Sequence, residues 1–105
     1  MSLERSLPGV PLSQLWDAVL SLQTPEECTA FFEDLCTIGE IRDLAGRLQV
    51  ARMIQEGRTY EEIAVETGVS TATISRVKRA LYYGADGYQL VLKRLRNGLA
   101  APEGS

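Results

Sequence analysis

The side chains best suited to chemistry in this chain lie between positions 70 and 79, where Ser70, Thr71, Thr73, Ser75, Arg76, Lys78 and Arg79 follow one another closely. Hydroxyls come first and cations after them, and no carboxylate occurs from Val69 to Gly84. A solvated helix surface usually interleaves Glu with Lys. A surface of one charge sign with small polar groups at its start suits a polyanion instead. Hydroxyls and the free N–H groups of a helix start can meet phosphates or base edges, and small side chains let a helix enter a major groove about 12 Å wide. Arg76 and Arg79 offer a planar fork that matches guanine or phosphate. Double-stranded DNA is therefore the expected partner, with Ser70, Thr71, Lys78 and Arg79 on phosphates and Thr73, Ser75 and Arg76 on base edges.

Such a face needs a scaffold, and the flanking residues supply one. Thr59 and Glu62 have the spacing of a capping box, so a short helix starts at Tyr60. Ile63, Ala64 and Thr67 keep its inner spacing up to Gly68, a residue type that accepts the left-handed conformation after a helix end. Val69 follows as an apolar plug. Ser70 then caps a second helix whose stripe is Ile74, Val77 and Leu81. Two helices joined by a tight glycine turn make a helix-turn-helix over 59–83 with its second helix in the reading position.

The rest of the chain reads as helix without strand signals. Residues 1–11, broken by Pro8, Gly9 and Pro11, look like a flexible arm, and 97–105 like a flexible tail. Between them, 12–96 forms a single helical domain. Leu12, Leu15, Trp16, Val19, Leu20 and Leu22 give a helix with a wide apolar face, with Trp16 in core or subunit interface. Thr24-Pro25-Glu26-Glu27 is a second capping box and opens a helix carrying Cys28, Phe31, Phe32 and Leu35. Thr37 and Glu40 form a third and open the longest helix, about Ile38 to Glu56, closed by Gly57. Its expected stripe is Ile41, Leu44, Ala45, Leu48, Ala51 and Ile54, and Asp43 precedes Arg47 in the favourable ion-pair order. Gly84 ends the reading helix, Asp86 is placed to cap the next, and a last helix runs from about Gly87 to Arg96. The fold class is all-α, with about six helices.

Composition sets bounds on function. The net charge is −3, unfavourable for approaching DNA, but it hides a split: residues 1–69 hold 5 basic and 12 acidic side chains, residues 70–105 hold 6 and 2. No apolar run is long enough for a membrane span and the N-terminus lacks the pattern of a secretory signal, so a cytoplasmic protein is expected. Cys28 and Cys36, eight residues apart on one helix, would lie about 12 Å from each other and could not bridge; both read as small buried hydrophobes. With no histidine and two cysteines, neither a zinc site nor a nucleophile–base arrangement is expected, and no enzyme, metal or cofactor is predicted. The apolar faces exceed what a chain of this size encloses, which points to a homodimer.

The run from Cys36 to Tyr88, and within it TGVSTATISRV and YGADGY, resembles the Trp-repressor superfamily, most closely its YerC/YecD branch of repressors. The resemblance covers roughly residues 12–95 and implies a Trp-repressor-like, intertwined dimer, built by the first three helices and the last, that binds an operator through its reading helix. In tryptophan-responsive members two arginines hold the indole, and those places match Arg47 and Arg76; two threonines match Thr37 and Thr73. The candidate effector pocket thus comprises Thr37, Arg47, Thr73, Arg76 and Val77. Where those members have a glycine this chain has the branched Val77, and where they have a serine it has Ala80. The first fills space and the second leaves an ammonium without a partner, which argues against tryptophan as effector. An ion pair with Asp43 is the competing role for Arg47. The expected function is a homodimeric, sequence-specific repressor of transcription; the alternative is a protein-interaction adaptor on a helix-turn-helix scaffold.

Overall fold

The computed structural model describes residues 3–98, which form seven helices and, among the described residues, no strand. They are α1 (Leu3–Ser6), α2 (Leu12–Leu20), α3 (Pro25–Leu35), α4 (Ile38–Gln55), α5 (Tyr60–Thr67), α6 (Thr71–Tyr83) and α7 (Gly87–Arg96). The chain divides into two compact units, one ending at Ile41 and one beginning at Arg42. The seventh helix relative to the expected six is α1, a single turn inside the segment read as an arm: Pro8 and Gly9 stop it at four residues without preventing it. The expected tail lies mostly outside the described residues.

In the first unit local signals decide the helix starts. The Thr24 hydroxyl accepts the Glu27 N–H at 3.1 Å, while the Glu27 carboxylate reaches past the cap to the Gln23 N–H at 2.8 Å. At Thr37 both arms of the box close, with Thr37 N–H donating to Glu40 at 2.8 Å and Glu40 N–H to the Thr37 hydroxyl at 3.1 Å. Helix α2 ends at Leu20 rather than Leu22, because the Ser21 hydroxyl donates to the Ala18 carbonyl and Leu22 N–H to that of Val19, tightening the last turn. Packing is sparse. Leu12 is the buried hydrophobe of this unit, Trp16 is 43% exposed, and none of the residues of α3 is buried. Phe31 and Phe32 meet edge to face with centroids 5.6 Å apart. The expectation of two buried cysteines is corrected: Cys28 is exposed and Cys36, the C-cap of α3, is half-buried.

The second unit is built differently. Val50, Ala51, Met53 and Ile54 of α4, Ile63 of α5, Ile74, Val77 and Leu81 of α6 and Leu92 of α7 form one cluster, with Tyr60, Ala64, Val69 and Tyr88 packed against it. Each fully buried aliphatic side chain of this kind contributes roughly 1.5–3 kcal/mol. The stripe expected along α4 needs correction, since Val50 and Met53 join the core while Leu44 and Leu48 stay half-open. Apolar residues surround almost the whole circumference of α4, so spacing alone could not pick the arc that faces its own chain.

Turns fix the order of the elements. Gly57 and Gly68 take φ of 83° and 74°, closing α4 and α5 in the conformation that Cβ disfavours. Gly84 serves differently: a Cβ there would run into the Ala80 carbonyl oxygen, so the backbone leaves α6 along a path open only to glycine. Asp86 occupies the N-cap position of α7 at φ 67°, and its side chain makes no capping bond, contrary to expectation. A cap carboxylate reaches the first N–H groups from extended backbone, not from this left-handed one.

Candidate nucleic-acid interface

The helix-turn-helix is held by its own sequence. The Thr59 N–H donates to Glu62 at 2.9 Å and the Glu62 N–H to the Thr59 hydroxyl at 3.1 Å, which completes the box that starts α5. The Glu62 carboxyl is held below the usual carboxylate range, first by that Thr59 N–H and then by the charge of Arg58. Arg58 lies 3.5 Å from Glu62 and donates to Glu66 at 2.7 Å; the Glu66 bond raises its already high affinity for a proton. At the other end, the Thr67 hydroxyl donates to the Ile63 carbonyl at 2.7 Å and accepts the Val69 N–H at 3.1 Å, tying the turn to α5.

On α6 the buried stripe is Ile74, Val77 and Leu81, and the rest of the helix faces outward. Ser70, Thr71, Ser75, Arg76, Lys78 and Arg79 are exposed, and Thr73 is half-buried. Six of the seven predicted residues therefore sit on α6, off its buried side, and Ser70 caps it. The Ser70 hydroxyl is already engaged, accepting the Thr73 N–H at 3.2 Å and donating to the Thr73 hydroxyl at 3.1 Å. An anion approaching this helix start would meet backbone N–H groups rather than that hydroxyl.

At 3.6 residues per turn the outward residues fall on two flanks. Thr71 and Lys78 share the flank beside α5, where the Lys78 ammonium stands 5.5 Å from the centroid of the Tyr60 ring. Thr73 and Arg76 share the other. Thr73 lines a depression of about 500 Å³ with Arg42, Asp43, Gly46, Arg47 and Val69. Arg47 and Thr73 of the expected effector pocket are thus brought to one concavity, whereas Arg76 and Val77 do not line it. Val77 is 3% exposed and belongs to the core. Thr37 lies in the first unit, where its hydroxyl caps α4. Asp43 and Arg47 both line the depression that Thr73 lines, and no ion pair joins them. Ala80 lines an apolar depression with Leu48, Tyr88 and Val91. Sequence reasoning missed Tyr60 and Arg42, one hidden as the first residue of a helix and the other as an ordinary surface cation.

Known proteins bear on this geometry. The model of the family described as Trp repressor protein matches residues 11–96. The uncharacterized protein YerC of Bacillus subtilis is 59% identical over 90 residues, which cover 86% of each chain. A Trp operon repressor homolog of Chlamydia trachomatis serovar L2 is 38% identical over 71 residues, covering 63% of this chain and 76% of its own. Among solved structures, a candidate Trp repressor from Staphylococcus aureus superposes with a TM-score of 0.85 at 51% identity, over 91% of this chain and 96% of that one. A TrpR-like protein from Eubacterium eligens gives 0.84 at 52%, over 88% and 95%. A family match spanning nearly all the helices, with relatives this similar over most of their length, means that the chain belongs to the Trp repressor family, a family of transcriptional regulators and not of enzymes.

Proposed function

We propose that this regulator is a homodimeric repressor that reads a pseudo-palindromic operator through α6 and acts by obstructing polymerase. The observation that carries the proposal is the outward side of α6: four exposed hydroxyl and cationic residues, Ser75, Arg76, Lys78 and Arg79, with no carboxylate among them, on a helix whose opposite side is locked in a core. Two such helices about 34 Å apart would meet successive major grooves. The partly open apolar side chains of the first unit, Trp16, Leu20 and Leu35 among them, support a dimer as the means of pairing them. Selection of duplexes from a random pool tests the proposal. Recovery of one half-site motif is expected, and selection of no sequence at low salt would favour the adaptor alternative. On the selected operator, Arg76→Ala should cost about 1–3 kcal/mol and flatten sequence preference, and Lys78→Ala should weaken all duplexes and lower the salt slope by about one unit.

Effector control, in the same proposal, belongs to the depression lined by Arg47 and Thr73, whose arginines suit an anionic group. Tryptophan is disfavoured by residue type, since Val77 and Ala80 stand where tryptophan-responsive members have a glycine and a serine. A thermal-shift screen of amino acids and indoles should show no upward shift with tryptophan; a clear one would refute that exclusion.

A further inference from the structure

Arg58 and Lys78 are both cations of the helix-turn-helix, and the structure treats them oppositely. Arg58 is matched by two carboxylates, Glu62 and Glu66. Among the described residues Lys78 makes no ion pair, and its ammonium stands 5.5 Å from the centroid of the Tyr60 ring. An aromatic face attracts an ammonium through its quadrupole and leaves the positive charge uncancelled, which a carboxylate would not. Tyr60 is itself fixed, being the first residue of α5, half-buried and packed against the core cluster. The ring is therefore a firm surface, and the lysine above it belongs to the flank of α6 that borders α5. A free lysine spreads over many rotamers and loses that freedom on binding; one already held has less to lose.

We infer that Tyr60 is a positioning residue for DNA binding: its ring holds the Lys78 ammonium at the edge of the face through which α6 meets a phosphate. The inference rests on the DNA-binding function proposed above. It assigns a role to a residue of the first helix of the motif that acts through its neighbour.

Binding to the selected operator is measured for the full-length protein, for Tyr60→Leu, Tyr60→Phe and Lys78→Gln, and for Tyr60→Leu combined with Lys78→Gln, each across a salt series. Tyr60→Leu should weaken binding about two- to five-fold per reading head, the size of an exposed cation–π contact. Tyr60→Phe should restore affinity to within two-fold, because the ring face remains. In the Lys78→Gln background Tyr60→Leu should change little, since the group it positions is gone. A purely structural role for Tyr60 would weaken binding equally in both backgrounds, and that additive result overturns the inference. So does a loss in Tyr60→Phe equal to that in Tyr60→Leu, which would mark the hydroxyl as the contact, or tighter binding in Tyr60→Leu, which would mean that the ring restrains the lysine. A wild-type protein that binds no duplex would remove the proposed function along with this inference, whereas the other failures leave the function standing.

Discussion

The two units of the chain carry opposite charge and solve opposite problems. Up to Ile41 there are seven acidic side chains and one basic, and Leu12 is the buried hydrophobe. From Arg42 on there are ten basic and seven acidic, with nine residues in one tight cluster. The second unit holds its shape with its own side chains and presents cations outward. The first has the capped helices of a folded unit but keeps much of its apolar surface open, the surface to which the proposed dimer is assigned. The contrast also locates the acidic excess in the sequence: the net −3 is the sum of an acidic unit up to Ile41 and a basic unit that contains α6.

Two substitutions would break the comparison from either side. Trp16→Glu places a charge on the open apolar surface of the first unit. It should raise the dissociation constant of the proposed dimer thirty-fold or more, the fold-change that corresponds to losing about 2 kcal/mol at an interface anchor, and sedimentation should then report the mass of one chain. Ile74→Ala empties a fully buried position of the second unit and should cost about 2–5 kcal/mol in urea unfolding. If Trp16→Glu left the mass unchanged, the first unit would not be a subunit interface. A negligible loss in Ile74→Ala would mean that the second unit does not depend on its own core.

A smaller effect sharpens the same contrast. Glu62 has its folded pKa depressed by the Thr59 N–H and by Arg58, so its contribution is fully present above the ordinary carboxylate pKa and fades as the pH falls through the folded value. Glu62→Gln keeps an acceptor for the capping box and removes the charge. The wild type should therefore be the more stable at neutral pH, with the gap closing on acidification in parallel melts. Parallel curves at all pH values would show that the charge of Glu62 does not matter to α5.

Much of this architecture was legible because it rests on local chemistry. The boxes at Thr37 and Thr59, the left-handed glycines at 57 and 68, the Ser70 cap and the stripe of Ile74, Val77 and Leu81 need no knowledge of distant residues, and all are present. What failed depended on packing. Which arc of α4 faces the core is decided by α5 to α7, so Val50 and Met53 were missed in favour of Leu44 and Leu48. Cys28 looked buried because its neighbours on α3 are apolar, yet nothing in a helical period says whether a covering layer exists. That Ser70 caps α6 and that the other six candidate residues lie on it off its buried stripe follows from helical spacing, whereas the separation of Thr73 from Lys78 onto different flanks, and the ring beside Lys78, depend on tertiary packing.

The bare backbone at Gly84 imposes a length on everything before it. Because a single methyl would strike the helix it terminates, no other residue type can occupy that corner without a shift of the backbone there, whatever happens to Tyr83 or Ala85. Random mutagenesis under selection for folded protein should accordingly leave position 84 untouched while its neighbours drift, and α6 would keep its span even as its outward residues change.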